Sequence, residues 1–277
     1  MTRQITPIKD IAALISMIKI LKKERPDVVH SQTPKAGIIS MLASIICGIP
    51  NRIHTVAGLP LMETSGIKKK ILLFVEWLTY ICATMVCPNS NGIKQYILKH
   101  ISIPKKKLKV IGFGSSNGVD LEHFQRNDKV EKLSFNFKKK FNLENKFSFI
   151  FIGRIVKDKG IEELLNAFVK LNSKFKDTRL IVLGYEEKDL DPISQNAKNI
   201  LRSNNDIINL GFQADIRLFL ASSNCLVLPS YREGFPNVVL QASSMEVASI
   251  VSNINGCNEI IENELNGLLV KPKSIEN

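Results

Sequence analysis

The sequence predicts an α/β protein with two parallel sheets, and three observations support this fold class. Short β-branched runs alternate with helical segments along most of the chain, which is the pattern of parallel sheets. The alternation stops across residues 112–145 and then restarts, which indicates two domains. The length of 277 residues and the hydrophobic content of 44% fit one large or two ordinary domains, each with a buried core.

The first predicted domain spans residues 1–125, and a connection extends from it to about residue 145. It begins with an amphipathic helix, because isoleucines recur at helical spacing from Ile8 and the pattern stops before Pro26. The run DVVHS at 27–31 then predicts a short strand. The remaining strands are expected at 51–56, 83–87 and 107–111, with helices at 36–47 and 67–80.

The second predicted domain spans residues 146–277 and has six strands, with a helix expected in every gap between them. The strands are expected at 147–152, 179–184, 207–211, 224–229, 248–252 and 267–270. Strands and helices in this order describe a doubly wound domain. The ligand site of such a domain lies at the carboxyl ends of the strands.

Both predicted domains lack elements that usually complete such a fold. The first opens on a helix, without the strand and Gly-rich turn with which these domains begin. The second ends soon after its last strand, without a closing helix. We therefore expect a fragment, with an incomplete N-terminal domain and a C-terminal domain that lacks its last helices.

The net charge of +12 indicates an anionic partner. Nucleic acid, an acidic membrane surface and a phosphorylated substrate would each fit this charge. Nucleic-acid binding is the weaker alternative, because the chain has one Trp and four Tyr and no basic segment interleaved with aromatic residues.

Cysteine use and hydropathy favour a location in a reducing cytoplasm. The five cysteines form no CxxC pair, so we expect free thiols. The stretch from Ile11 to Ile20 contains polar residues and precedes no cleavage site, so a signal peptide is not expected. The most lipid-like run, Ile71 to Val86, contains Glu76 and is shorter than the ~20 residues of a spanning helix.

Two segments carry candidate functional residues at predicted strand ends. GRIVKDKG at 153–160 places Arg154 and Lys159 between a strand and a helix N-terminus, a combination that suits a diphosphate. PSYREGFPNVVLQASSME at 229–246 places Glu233 just before a helix that contains Gln241. Both side chains can hydrogen-bond to sugar hydroxyls, and solvated loop charges or helix capping remain the alternatives.

These segments resemble the nucleotide-sugar-binding domain of retaining glycosyltransferases of family 4, whose GT-B fold has two Rossmann-like domains facing a cleft. GRIVKDKG is similar to the family's G-R-x4-K-G segment, and EGFPNVVLQA to its E-x7-E segment. The resemblance implies that Arg154 and Lys159 contact the donor diphosphate and that Glu233 faces the donor sugar. It also implies a set of further substrate-binding residues: Gly153, Gly184, Phe212, Gly234, Phe235, Pro236, Asn237 and Gln241.

The first half is similar to the acceptor-side domain of cell-envelope members of the family, through PDVVHSQTPKAG, RIHTVAGLP, CPNS and SNGVDLEHF. Within it, Lys35 and His30 are candidates to border the cleft. The chain departs from the family at two positions, because Ala57 replaces a frequent His and Gln241 replaces the second Glu. His54 is expected to be a packed or surface histidine, since its odd offset from Ala57 puts it on the other face of the strand.

The resemblance implies transfer of a sugar from a nucleotide diphosphate sugar, with UDP as the expected nucleotide, to a lipid-linked or polysaccharide acceptor with retention of configuration. We expect no metal and no other cofactor. The clusters Lys68–Lys70 and Lys105–Lys107 would suit peripheral contact with the inner face of the membrane. A non-catalytic, truncated remnant of such an enzyme is the alternative.

Overall fold

A computed structural model describes residues 7–187 and 191–276. The chain divides into two compact units, Met1–Ser116 and Asn117–Asn277, which we call the first and the second unit. Each unit has its own parallel sheet and its own hydrophobic core. The α/β fold class with parallel sheets is therefore confirmed.

The first unit has a three-stranded parallel sheet in the order β1-β2-β3. Helices α1, α2 and α3 pack side by side, and α2, α3 and α4 contribute Met41, Tyr80 and Ile93 to the core. The elements are α1 (Pro7–Glu24), β1 (Val28–Ser31), α2 (Pro34–Ile46), β2 (Asn51–Val56), α3 (Gly66–Cys82), β3 (Met85–Pro88) and α4 (Asn91–His100).

The prediction of a strand at 107–111 is wrong. Within this segment, Leu108 alone forms a β-bridge, and its partner is Val86 of β3. Residues Lys105–Lys107 form a 3-10 turn after Pro104. The Lys107 ammonium donates to the carbonyls of Ile81 and Ala83, each at 2.7 Å, and so caps the C-terminus of α3. Lys107, which was expected in a strand, thus contacts the end of α3, which is distant in sequence.

The second unit has a six-stranded parallel sheet in the order β6-β5-β4-β7-β8-β9. The chain runs outward from β4 in one direction and then returns to start again at β7, so the order reverses between these two strands. The elements are α5 (Asp128–Lys140), β4 (Phe147–Ile152), α6 (Ile161–Lys174), β5 (Thr178–Leu183), α7 (Gln195–Ser203), β6 (Ile207–Gly211), α8 (Arg217–Ala221), β7 (Cys225–Leu228), α9 (Asn237–Ser244), β8 (Ala248–Ser252) and β9 (Gly267–Val270).

Two connections differ from the sequence prediction. The charged stretch expected to be a domain connection contains α5, whose buried residues Val130 and Ser134 face the core, and the Ser222 hydroxyl donates to Ser134 at 3.0 Å. The gap between β8 and β9 holds a 3-10 turn, Cys257–Glu259, instead of the expected helix. The turn follows Gly256, which lies close to the backbone of the loop after β7.

Candidate functional site

The candidate site lies at the reversal of strand order in the second unit, at the carboxyl ends of β4 and β7. Doubly wound sheets bind ligands at this position because the loops diverge there and leave a crevice. The loop 153–160 follows β4 and the loop 229–236 follows β7. Both predicted motifs begin on these loops.

The two loops touch through their backbones. Gly160 has a φ of 66°, and a Cβ atom placed on it would lie 2.0 Å from the Pro229 carbonyl oxygen. Any other residue would both strain the left-handed backbone and clash with the neighbouring loop. The glycine of the first motif is therefore required for the close approach of the second.

Lys159 and Glu233 form an ion pair across this junction. The Lys159 ammonium lies 2.5 Å from a carboxylate oxygen of Glu233, and the two side chains are only 19% and 13% exposed. Cys257 lies close by, and burial, together with the charge of Glu233, raises the pKa of its thiol. The Cys257 thiol is thus held protonated beside the ion pair.

Asp158, which precedes Lys159, links its own loop to two other loops by hydrogen bonds. Its side chain accepts a hydrogen bond from Arg232 at 2.8 Å, and its carbonyl accepts from the Tyr231 N–H at 2.9 Å. Its own N–H donates to the Asp191 carboxylate at 2.7 Å. The backbone that carries Lys159 is therefore fixed from both sides.

The loop that follows Glu233 is fixed by the turn after β8. The Asn255 amide donates to the carbonyls of Glu233 at 3.0 Å and Gly234 at 3.2 Å. A Cβ atom on Gly256 would lie 2.2 Å from the Gly234 carbonyl oxygen. Pro236 occupies the N-cap of α9, and the helix begins one residue later, at Asn237.

A cavity of about 360 Å³ opens beside these loops. This volume is in the range of small-molecule sites. Its wall includes five of the residues predicted to bind substrate: Gly153, Arg154, Gly184, Phe212 and Gln241. The other lining residues are Phe124, Ile152, Leu183, Tyr185, Gln213, Ala214 and Ile216.

At the floor of the cavity, the loops after β4 and β5 also touch through their backbones. Gly184 has a φ of 149°, and a Cβ atom on it would lie 1.8 Å from the Gly153 carbonyl oxygen. The Gly153 N–H donates to the Leu183 carbonyl at 3.0 Å, which continues the β4–β5 pairing to the cavity edge. The predicted residues Lys159, Glu233, Gly234, Phe235, Pro236 and Asn237 are not among the lining residues.

Arg154 lines the cavity and is paired with Glu187, with a nitrogen–oxygen distance of 2.5 Å. Burial lowers the pKa of Arg154, but the hydrogen bond to Glu187 and the nearby charges of Asp158, Glu187 and Tyr185 together outweigh burial and raise the pKa. Arg154 and Lys159, the two residues predicted to contact the diphosphate, are thus each paired with a carboxylate. The motifs did not predict a role for Glu187, Asp191, Asp158 or Arg232, although an acidic run follows β5 in the sequence.

The remaining candidates lie in the first unit. Lys35, in the first turn of α2, forms an ion pair with Asp10 at 2.7 Å. His54 is buried, hydrogen-bonds to the Ser31 hydroxyl at 2.8 Å, and has its pKa lowered by burial to about 4. Of the two predicted alternatives, a packed or a surface histidine, His54 is the packed one. His30 is exposed and bonds to the Thr55 hydroxyl at 2.8 Å.

In 7–187 and 191–276, no group of three or more His, Cys, Asp or Glu side chains could hold a metal ion. No helix in the same part of the chain is both long and apolar enough to cross a bilayer.

Family patterns match both halves of the chain. The pattern described as "Glycosyl transferases group 1" matches residues 134–277, and "Glycosyltransferase Family 4" matches residues 4–123. The first pattern covers all of the candidate site loops described above.

Curated relatives align along nearly the whole chain. The Staphylococcus aureus capsular polysaccharide biosynthesis glycosyltransferase CapM is 35% identical over 98% of this chain and 70% of its own length. The Escherichia coli UDP-Gal:alpha-D-GlcNAc-diphosphoundecaprenol alpha-1,3-galactosyltransferase is 32% identical over 99% of this chain and 70% of its own. The chain therefore spans about 70% of the length of these relatives.

Solved structures share the fold. Anabaena Alr3699/HepE in complex with UDP-glucose superposes with a TM-score of 0.81 at 20% identity, over 95% of this chain and 69% of that one. A Rickettsia africae glycosyltransferase superposes with a TM-score of 0.74 at 23% identity, over 100% of this chain and 70% of that one. These neighbours are GT-B glycosyltransferases, and at such identities the likeness concerns the fold.

Proposed function

The chain belongs to the family 4 glycosyltransferases, and from this membership we propose that it moves a sugar from a UDP-sugar to a lipid-linked or polysaccharide acceptor, with retention of configuration. We place the reaction in cell-envelope polysaccharide synthesis. Capsular and diphosphoundecaprenol-dependent relatives at 35% and 32% identity support this substrate class. A solved neighbour with bound UDP-glucose supports the choice of nucleotide.

One observation carries the donor side of the proposal. A cavity at the carboxyl ends of β4, β5 and β6 has Arg154, Gly184 and Gln241 in its wall, and Lys159, on the same loop as Arg154, forms the ion pair with Glu233. The aromatic residues Tyr185 and Phe212 belong to the same wall and offer apolar surface to a nucleobase. Gln241 would hydrogen-bond to the ribose hydroxyls.

The ion pairs define how the diphosphate would bind. In the free protein, Arg154 faces Glu187 and Lys159 faces Glu233. A diphosphate would take over both cations, because its oxygens carry more negative charge than a single carboxylate. Glu233, released from Lys159, would accept hydrogen bonds from the donor sugar hydroxyls.

The two cations would also drive the chemical step. As the bond from sugar C1 to the diphosphate oxygen breaks, its electron pair leaves with the diphosphate. Fixed donors aimed at such developing charge typically contribute ~3 kcal/mol each. The acceptor hydroxyl would bond to C1 on the same face, and its proton would pass to the departing phosphate oxygen.

The acceptor side of the proposal places the protein at the cytoplasmic face of the membrane. A lipid-linked acceptor must be reached at a bilayer surface, and the exposed Lys68 and Lys70 can contact anionic headgroups. Of the second predicted cluster, Lys105 and Lys106 are exposed, whereas Lys107 caps α3 and is not available.

The test is calorimetric titration of the chain with UDP, GDP and ADP at low and high salt. We expect selective, saturable UDP binding that Arg154→Met and Lys159→Met each weaken at least tenfold. Lys106→Met is the matched control, because it removes the same charge at an exposed position of the first unit. Equal effects of all three substitutions would mean diffuse electrostatic attraction and would refute the site assignment.

A further inference from the structure

Phe124 lines the cavity although it belongs to neither of the two motifs at the site. It lies in residues 117–126, the segment with which the second unit begins, and we call this segment the connecting segment. Gln241 of α9 is part of the same cavity wall. Of the three aromatic side chains that line this cavity in the described part of the chain, Phe124 is the least exposed, since Phe212 and Tyr185 are 68% and 49% exposed.

A single turn of the chain carries Phe124. The Phe124 N–H donates to the Asp120 carbonyl at 2.8 Å, and the His123 N–H donates to the Asp120 carboxylate at 3.0 Å. Asp side chains commonly fix turns by such local bonds to the backbone. The His123 ring packs edge-on against the Phe124 ring, with centroids 5.0 Å apart. These local contacts hold both the backbone and the ring of Phe124.

Two elements that line the cavity also hold this turn. The Ser244 hydroxyl of α9 donates to the Phe124 carbonyl at 2.5 Å. Gln241, which lies about one helical turn before Ser244, is in the cavity wall. From the start of α8, Arg217 donates to the His123 carbonyl at 3.2 Å. The connecting segment is therefore attached to the same parts of the second unit that surround the cavity.

The contact made by Arg217 is itself fixed by Asp215. The Arg217 guanidinium donates to both carboxylate oxygens of Asp215, at 2.9 and 2.6 Å. This hydrogen bonding lowers the pKa of Asp215 to about 2, so the pair stays charged at neutral pH. Ala214 and Ile216, which alternate with these two residues in the sequence, line the cavity. A shift of this loop would therefore reach both the cavity wall and the connecting segment.

The chemistry of the Phe124 ring selects the part of a nucleotide that it can contact. An apolar ring does not suit a diphosphate, whose oxygens need cations and hydrogen-bond donors. A nucleobase presents a flat π-face, and aromatic side chains stack on such faces. The phosphates would be left to Arg154 and Lys159.

We propose that Phe124 contacts the nucleoside of the bound donor, and that nucleotide binding thereby restrains the connecting segment. This inference rests on the proposed UDP-sugar donor. It adds a substrate contact that lies outside both motifs. It also makes the order of residues 117–126, through which the chain passes from the first unit to the second, depend on whether the cavity is occupied.

The first experiment is calorimetric titration of the 277-residue chain with UDP and, separately, with inorganic pyrophosphate. We expect Phe124→Ala to weaken UDP binding at least fivefold and to leave pyrophosphate binding within twofold, because only UDP carries a base. Arg154→Met should weaken the binding of both. Phe141→Ala is the control, because Phe141 packs against the same core but is not among the residues that line the cavity. It should keep both affinities within twofold.

The second experiment measures hydrogen–deuterium exchange with and without saturating UDP. In the unchanged chain, UDP should slow exchange in residues 117–126 as well as in 153–160. In Phe124→Ala with saturating UDP, exchange should still slow in 153–160 but not in 117–126. Ser244→Ala should speed exchange of the connecting segment in the free protein severalfold. Ser243→Ala, at an exposed position of the same helix, should not.

Two further substitutions keep the test decisive if Phe124→Ala does not fold. Phe124→Tyr keeps the ring and should bind UDP within twofold of the unchanged chain. Phe124→Leu keeps an apolar side chain without the ring and should bind UDP at least threefold more weakly. Equal UDP affinities of these two variants would overturn the inference.

Three other results would also overturn it: full UDP affinity in Phe124→Ala, equal losses in Phe124→Ala and Phe141→Ala, and UDP binding that leaves exchange in 117–126 unaltered. In each of these cases the unchanged chain still binds UDP, so the proposed donor stands. Absence of UDP binding by the unchanged chain would instead overturn the proposed function, and this inference with it.

Discussion

Replacing Glu76 by Gln should change how the stability of the first unit depends on pH. Glu76 is 4% exposed, and burial raises its pKa from 4.5 to about 7. The folded protein therefore holds a proton between these values that the unfolded chain releases. Its stabilising effect is complete below pH 4.5 and is lost as pH rises through 7, by about 3 kcal/mol in total.

His54 has the opposite effect on the stability of the first unit, over nearly the same pH range as Glu76. Burial lowers its pKa from 6.5 to about 4, with a smaller contribution from His30. The free energy of unfolding therefore falls, also by about 3 kcal/mol, as pH drops from 6.5 to 4. In the unchanged protein the two groups largely cancel, so we expect a nearly flat profile between pH 4.5 and 6.5.

Glu76→Gln should leave the effect of His54 uncompensated. We expect the variant to unfold more readily as pH falls from 6.5 to 4, and to exceed the unchanged protein in stability at pH 8 by up to about 3 kcal/mol, because no charge is then buried. Trp77, the one tryptophan of the chain, is the neighbour of Glu76 and reports urea unfolding of the first unit by fluorescence.

Glu144→Gln is the control, because Glu144 is exposed and the substitution removes the same charge without changing a buried group. It should reproduce the pH profile of the unchanged protein. Identical pH profiles for Glu76→Gln and the unchanged protein would refute the reasoning, since Glu76 would then titrate alike in both states.

Three predictions concern the second unit and are checked by UDP calorimetry. Gly160→Ala should weaken binding at least tenfold by forcing the two loops apart, whereas Gly118→Ala, with the same φ of 66° but open space around it, should not; similar losses would contradict the clash. Glu187→Gln should tighten binding by up to about fivefold, because one partly buried counter-charge of Arg154 is removed; weaker binding would mean that Glu187 is needed to orient its arginine. Asp158→Arg and Arg232→Asp should each weaken binding about tenfold, and the double variant should recover part of the loss; additive losses would exclude a positioning role for the pair.

The strands of both units were predictable because their signal is local. The β-branched runs after Pro26 and before Gly153 match β1 and β4 to within a residue of their observed ends. The two wrong predictions, the strand at 107–111 and the helix between β8 and β9, concern segments that are fixed by contacts distant in sequence. Lys107 is drawn to the C-terminus of α3, and the turn after Gly256 is fixed by the Gly234 carbonyl.

The candidate site likewise combines residues that local sequence predicts with partners that come from distant parts of the chain. Motif spacing identified Arg154, Lys159 and Glu233, because each motif lies on one continuous segment, and their roles stay predictions. The partners Glu187 and Arg232 come from other loops. Which loops are neighbours depends on the strand order of the sheet, and local sequence does not encode that order.

The glycine contacts around the site bear on how the family can change its substrates. At Gly160, Gly184 and Gly256, one loop meets another through main-chain atoms, with no side chain between them. The geometry of the crevice is therefore insensitive to most exchanges of the side chains that line it. Residues that line the crevice can be exchanged one at a time while the backbone of these loops keeps its shape, which would let the proposed sugar specificity change on a constant frame.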